Sequence, residues 1–144
     1  MAGVEVVLLD TNAFSALYVT PEVTARKQGH PIDEWRASLH GQRVVISFQT
    51  RAEILAGARI AGWGEQRMAA LMERLDSTPT VHLDQDVFDA YVTLSADSRA
   101  QGKGIGQRPH AADRWIAACA IAKSVPLMST DGIFADAPAL TLFG

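Results

Sequence analysis

Four acidic residues lie at the ends of predicted strands or near the starts of predicted helices, where their carboxylates could take part in a reaction. Asp10 directly follows an apolar stretch, and Asp131 follows a second one in the same pattern of strand and then acid. Glu53 and Asp113 lie near the starts of two predicted helices with small apolar faces. Carboxylates brought close together repel one another, so each needs a proton or a cation to neutralise it. Such a cluster predicts a hard divalent cation with oxygen ligands, and Mg²⁺ in particular also binds substrate phosphates.

The elements that would position these acids alternate between strand and helix. Apolar, β-branched runs predict strands at residues 4–9, 43–47, 80–83 and 125–129, with a last edge strand at 140–142. Helical spacing of apolar residues predicts helices at 13–18, 31–40, 50–59, 65–75, 84–100 and 111–123. Residues 21–31 are predicted to be a loop. This alternation indicates an α/β fold with a mainly parallel sheet, and the absence of a repeat or linker predicts a single domain over residues 1–144.

Parallel strands end at one edge of a sheet, and ligands of open α/β sheets bind at that edge. Asp10 and Asp131 are therefore expected to converge although they are distant in sequence. A structural role is the alternative, because capping a helix is among the commonest uses of Asp and an acid in a first helical turn also gains from the helix dipole. Thr50 and Glu53 have the T-x-x-E spacing of a capping box. The residues alone leave both interpretations open.

Composition and charge exclude several classes of protein. With 144 residues, of which 48% are hydrophobic and 20% charged, the chain fits one domain with a real core, which argues against disorder, collagen and coiled coil. The net charge of −3 argues against a protein that coats nucleic acid by bulk attraction. Residues 75–98 contain five acids and no lysine or arginine, however, so the rest of the chain has 13 basic and 11 acidic residues. The mild acidity therefore excludes only indiscriminate binding of nucleic acid.

The single cysteine, Cys119, cannot form an internal disulfide, and no C-x-x-C site is present, so a reducing compartment is expected. The apolar run at residues 4–9 is far shorter than the ~20 residues that a membrane span needs. We therefore expect a soluble cytoplasmic protein with no membrane segment.

Four short motifs occur in an informative order. They are Leu8-Leu9-Asp10-Thr11-Asn12, Ala52-Glu53-Ile54-Leu55-Ala56-Gly57, Asp113-Arg114-Trp115-Ile116-Ala117-Ala118 and Leu127-Met128-Ser129-Thr130-Asp131-Gly132-Ile133-Phe134. In these motifs the chain resembles PIN-domain ribonucleases, and most closely the VapC-like toxins of bacterial type II toxin-antitoxin systems. The joint presence of the D-x-x-I-A-A helix and the later T-D-x-x-F segment is the more specific part of the likeness.

The resemblance implies a three-layer α/β/α PIN-like fold and an endoribonuclease that depends on Mg²⁺ or Mn²⁺. Asp10, Asp113 and Asp131 would hold the metal, and Glu53 would act as a further ligand or accept a proton from the attacking water. The hydroxyl and amide groups of nearby residues could orient these carboxylates; the candidates are Thr11, Asn12 and Thr130. The resemblance also implies a tRNA or rRNA substrate, a cognate VapB-like antitoxin and a homodimer.

Three other functions compete with this one. A housekeeping PIN nuclease in RNA processing would share every motif. A haloacid-dehalogenase-type phosphatase also places an acid after its first strand, but its chemistry needs a second acid where this chain has Asn12. A catalytically silent PIN-like binding module is expected to lack the acids, and this chain has all four.

Two features near the third acid are harder to assign. Residues 102–109 contain Lys103 and Arg108, which could contact phosphate, but they lack the order of a P-loop and predict a solvated loop. His110 is the histidine placed at the entry of the Asp113 helix, with no partner at metal-ligand spacing.

Overall fold

A four-stranded parallel sheet forms the centre of the protein in a computed structural model, which describes residues 5–20 and 32–144. The strands are β1 (Val6–Leu9), β2 (Arg43–Ser47), β3 (Thr80–Val81) and β4 (Leu127–Met128), in the spatial order β3-β2-β1-β4. The predicted edge strand at 140–142 is reduced to a single parallel bridge between Leu127 and Leu142. The predicted loop at 21–31 and residue 4 of the predicted 4–9 strand lie outside the described residues. Glu5 is described and precedes the strand, which begins at Val6.

Six α-helices surround this sheet in the described part of the chain. They are α1 (Thr11–Phe14), α2 (Ile32–Leu39), α3 (Phe48–Ile60), α4 (Glu65–Asp76), α5 (Gln85–Ala100) and α6 (Ala111–Lys123). A π-helical turn, Ser15–Val19, extends α1. Within the described residues, no helix combines the length and the apolarity needed to cross a membrane.

β1 is buried on both faces, which explains why its sequence is almost continuously apolar. Leu8 belongs to a core cluster with residues of α5 and α6, whereas Val7 and Leu9 belong to a second cluster with residues of the other four helices. All three side chains have 0% exposure. The fold is therefore the three-layer α/β/α arrangement that the resemblance implies.

The register of the sheet aligns the ends of three strands. Leu9 is paired with Ile46 of β2 and with Met128 of β4. Because all the strands are parallel, the residues that follow these positions, Asp10, Ser47 and Ser129, lie at the same edge of the sheet. We call this the carboxyl edge.

The predicted capping box at the start of α3 is wrong. The helix begins at Phe48 rather than Thr50, and Ser47 is its N-cap: the Ser47 hydroxyl accepts the Thr50 N–H at 3.0 Å. Thr50 is fully buried in the first turn of the helix. Because Ser47 occupies the cap, the Thr50 side chain instead contacts the hydroxyl groups of Thr11 and Ser47. Glu53 consequently lies in the second turn of the helix.

The segment at 102–109 is only in part the solvated loop that its composition predicts, because residues 102 and 107–109 are exposed whereas residues 105 and 106 are buried. It forms two 3₁₀ turns, Gly104–Gly106 and Arg108–His110, and Ile105 is completely buried. One guanidinium nitrogen of Arg114 donates to the carbonyl oxygens of Ile105 and Gln107, each at 2.7 Å. These bonds fasten the segment to α6.

Candidate active site

Asp10 is a buried carboxylate at the centre of the carboxyl edge, with 4% of its surface exposed. Its Oδ1 accepts the N–H of Ala13 at 2.8 Å, so Asp10 caps α1. Its Oδ2 accepts a hydrogen bond from the hydroxyl of Ser129, the residue that follows β4. Asp10 therefore has the capping role that its residue type allows, and it also ties the ends of two neighbouring strands together.

The pKa of Asp10 is raised above its ordinary value. Burial is the largest cause, because it removes water from the charged form. The hydrogen bonds from Ser129 and Ala13 lower the pKa, whereas the negative charges of Asp131 and Asp113 raise it further. Asp113 and Asp131, which lie far from Asp10 in sequence, are thus within electrostatic reach of its carboxylate.

Glu53 reaches the same edge through a hydroxyl group. The Thr11 hydroxyl donates to Oε2 of Glu53, and Thr11 is the residue that follows Asp10. The Oγ1 atoms of Thr11 and Thr50 are 3.0 Å apart, and the Ser47 hydroxyl donates to Oγ1 of Thr50 at 3.2 Å. This row of hydroxyl groups holds the Glu53 side chain toward the end of β1.

Asp113 lies in the first turn of α6, and its Oδ2 is 3.0 Å from Nδ1 of His110. An ionised carboxylate can only accept, so Nδ1 must carry the proton in this contact. His110 belongs to the 3₁₀ turn directly before α6, and both side chains are about one-third exposed, at 34% and 28%. His110 is therefore positioned to fix the direction of the Asp113 carboxylate.

Asp131 follows β4 and begins a 3₁₀ turn. Its Oδ1 accepts the Ile133 N–H at 3.0 Å, and its own N–H donates to the Ser129 hydroxyl at 3.0 Å. Ser129 thus contacts both Asp10 and Asp131. Thr130, one of the three predicted orienting residues, is exposed, and the hydroxyl group that contacts Asp10 belongs to the preceding residue.

The two other predicted orienting residues differ in outcome. Thr11 contacts Glu53 as expected. Asn12 is exposed, and its side chain forms no hydrogen bond with a described residue. Ser47 and Ser129 were missed, although each is a hydroxyl residue at the end of an apolar strand, which is the signal that could have identified them.

The chemistry of the edge suits a hard cation. Among the described residues, no lysine or arginine forms an ion pair with Asp10, Glu53 or Asp131, so no described cation balances their charges. The described side chains include no group of three or more His, Cys, Asp or Glu placed so that it could hold a metal ion, and so no cage made of side chains alone. Mg²⁺ does not need such a cage, because it retains several waters and binds one or two carboxylates together with substrate phosphates.

Comparison with known proteins gives a family and several similar structures. A family model described as PIN domain matches residues 7–140. No curated protein sequence matches the chain.

The similar solved structures cover nearly all of the chain. The VapBC-1 structure from nontypeable Haemophilus influenzae is 24% identical, with a TM-score of 0.71 over 95% of this chain and 96% of that one. The FitAcB structure from Neisseria gonorrhoeae is 25% identical, with a TM-score of 0.65 over 96% of each chain. The VapBC2 structure from Rickettsia felis is 21% identical, with a TM-score of 0.71 over 95% of this chain and 96% of that one. In that structure VapBC2 is bound to a DNA fragment from its promoter. The fold is therefore shared over almost the full length.

Proposed function

The chain belongs to the PIN domain family, and we propose that it is a metal-dependent endoribonuclease that acts as the VapC-like toxin of a type II toxin-antitoxin pair. The observation that carries this proposal is the carboxyl edge. A buried Asp10 lies there within electrostatic reach of Asp113 and Asp131, with no ion pair from a described lysine or arginine to balance it. A catalytically silent module would have no use for this unfavourable concentration of charge.

The metal is Mg²⁺ or Mn²⁺, and Asp10, Asp113 and Asp131 would hold it. When bound, such an ion lowers the pKa of a coordinated water and neutralises charge on the phosphodiester. The protein's own contribution is to fix the ligands. Ser129 orients Asp10, and His110 orients Asp113. These contacts limit the directions in which the carboxylates can point, as the outer partners of metal ligands generally do.

Glu53 is the residue we assign to accept the proton of the attacking water. Its carboxylate accepts a hydrogen bond from the hydroxyl of Thr11, which follows Asp10 in the sequence. The water oxygen forms a bond to phosphorus, the bond between phosphorus and the leaving ribose oxygen breaks, and that oxygen takes up a proton from solvent. Every cut therefore consumes one water molecule and needs no covalent enzyme intermediate.

The proposed partners follow from the similar structures. The neighbours described above are VapBC and FitAcB structures, and this supports a VapB-like antitoxin as the partner of this chain. Its substrate would be tRNA or rRNA in the cytoplasm. We also expect a homodimer, and three apolar side chains between 49% and 51% exposed on or beside α5 are available for contact with another chain; they are Leu83, Phe88 and Val92.

A haloacid-dehalogenase-type phosphatase function is not supported, because the residue two positions after Asp10 is an exposed Asn12 rather than a second acid. A housekeeping PIN nuclease would have the same carboxyl edge. The gene neighbourhood separates it from a toxin: a small antitoxin gene directly upstream supports the toxin, and an isolated gene supports the housekeeping enzyme.

Incubation of the purified protein with mixed cellular RNA tests the proposal. Cleavage is expected with Mg²⁺, no cleavage with EDTA, and full recovery when Mg²⁺ is added in excess of the chelator. Cleavage that persists in EDTA would exclude the metal, and intact RNA under all conditions would exclude the ribonuclease.

A further inference from the structure

A basic cavity lies beside the carboxyl edge. It has a volume of about 340 Å³ and is lined by Arg99, Gly102, Lys103, Gly106, Gln107 and Arg108. Three of these residues are cationic and none is acidic. The ammonium group of Lys103 lies 3.5 Å from the carboxylate of Asp136, whereas Arg99 and Arg108 form no ion pair with any described residue. Both arginine side chains are exposed, so two guanidinium groups are available to a ligand.

The backbone holds Arg99 close to the segment that carries Arg108. Arg99 is in the last turn of α5, where the helix dipole favours a cation. Gly106 packs against the end of that helix so closely that a Cβ added to it would lie 2.8 Å from the backbone nitrogen of Arg99. Only glycine permits this approach, and Arg108 follows two residues later. The cavity is therefore a built feature of the fold.

The same segment lies between the elements that carry two of the acids. Arg114, the neighbour of Asp113, bonds to the carbonyl oxygens of Ile105 and Gln107. On the other side, Gly104 approaches Ile133, which is two residues after Asp131; a Cβ added to this glycine would lie 3.2 Å from Cδ1 of Ile133. The segment that lines the basic cavity therefore adjoins the elements that carry Asp113 and Asp131.

We propose that the basic cavity binds a backbone phosphate of the RNA strand, away from the phosphate that is cleaved. This inference rests on the proposed ribonuclease function and adds a substrate contact to it. Guanidinium groups match phosphate oxygens with paired hydrogen bonds, and backbone phosphates provide most of the affinity and little of the sequence preference of nucleic-acid binding. The contact therefore holds any RNA sequence at the carboxyl edge and sets its register.

Binding of a fluorescein-labelled single-stranded RNA to the Asp10→Asn protein tests the cavity without cleavage. The test variants add Arg99→Gln, Arg108→Gln or both. The matched control adds Arg59→Gln, which removes an exposed arginine from the last turn of α3. Loss of one phosphate contact should reduce the slope of log K against log salt concentration by about 0.7. The double variant should bind about tenfold more weakly, with the control unchanged.

Steady-state cleavage kinetics of the arginine variants, with Asp10 unchanged, provide a second test of the cavity. Because the contacts are made equally before and during the reaction, the Arg99→Gln and Arg108→Gln double variant should raise KM about tenfold and leave kcat within about twofold. An unchanged salt slope and KM in the double variant would overturn the proposal. Loss of binding to an oligoglutamate peptide with unchanged RNA binding would assign the cavity to acidic protein side chains instead. Failure of the wild-type protein to cleave RNA would reject the proposed function, while the binding measurement would still decide the cavity.

Discussion

The hydroxyl group of Thr11 donates a hydrogen bond to the carboxylate of Glu53 and so joins the end of β1 to α3. A threonine hydroxyl has one proton, and here the carboxylate receives it. In the contact between Thr11 and Thr50 the donor must therefore be Thr50. Ser47 then donates to Thr50, as the structure shows. The hydroxyl groups form a one-way chain that ends on Glu53.

The first prediction concerns Thr50, which touches no acid itself. Replacement of Thr50 by Val keeps the side-chain shape and removes the donor to Thr11, so Glu53 should be less firmly held. We expect kcat to fall about 10- to 100-fold, the range typical for residues that orient the groups around a metal. Thr50→Ser restores the hydroxyl and should restore most of kcat.

Thermal unfolding of both Thr50 variants provides the control. The Val variant leaves a buried Ser47 donor without its partner, at a cost of about 1–3 kcal/mol. The variant should nevertheless be folded at the assay temperature. Full activity in Thr50→Val would show that the hydroxyl chain has no part in placing Glu53.

The second prediction concerns His110, which contacts Asp113 through Nδ1. His110→Asn retains a nitrogen donor near that position, whereas His110→Leu removes it. The Leu variant should bind Mn²⁺ about 10- to 100-fold more weakly in calorimetric titration, and the Asn variant should remain closer to wild type. Equal Mn²⁺ affinities in the wild-type and Leu proteins would show that His110 does not position Asp113 for metal binding.

Much of the fold follows from the local sequence. The continuous apolar run of β1 predicts burial on both faces, and the two strand-then-acid patterns place Asp10 and Asp131 at one edge of a parallel sheet. The PIN-domain resemblance, which rests on four short motifs, is confirmed by the family match. These features depend on neighbours in sequence, so a single sequence is sufficient to identify them.

Other features depend on contacts between distant residues and were not predictable in the same way. Thr50 has the spacing of a capping box with Glu53, but Ser47 occupies the cap and Thr50 instead contacts Thr11, 39 residues away. The segment at 102–109 has the glycine and charge content of a solvated loop, yet bonds from Arg114 hold it against α6 and bury Ile105. Local composition gave no sign of these tertiary hydrogen bonds.

A third prediction concerns the pH dependence of stability without metal. The folded-state pKa of Asp10 lies above its ordinary value of 3.8, so ionisation disfavours the folded state. As the pH rises from 3.8 through the raised pKa, the wild type should lose stability that Asp10→Asn retains. The asparagine can still accept from Ala13 and can donate to Ser129, so its fold should be preserved.

Urea unfolding in EDTA at a series of pH values measures this difference. The free energy of unfolding of Asp10→Asn minus that of the wild type should increase through this range and then level off. A difference that stays constant or decreases with pH would mean that the Asp10 carboxylate is not destabilised by its surroundings.

A fourth prediction concerns Cys119, which is completely buried in α6. Burial is the main cause that raises the pKa of this thiol to about 12, so it is protonated at neutral pH. The folded protein should therefore resist iodoacetamide, and labelling should appear only when the chain unfolds in denaturant. Rapid labelling of the native protein would contradict the burial of this side chain.

We propose that the carboxyl edge performs metal-dependent hydrolysis of RNA. The most direct test of this proposal compares cleavage of one end-labelled RNA by the wild type, Asp10→Asn and Asp86→Asn in Mg²⁺, with folding checked by circular dichroism. Asp86 is an exposed acid in the first turn of α5 and is the matched control. The wild type and Asp86→Asn should cleave at similar rates that EDTA abolishes, and Asp10→Asn should be at least about 100-fold slower while folded. Cleavage by Asp10→Asn at the wild-type rate would show that the carboxyl edge is not the site of hydrolysis.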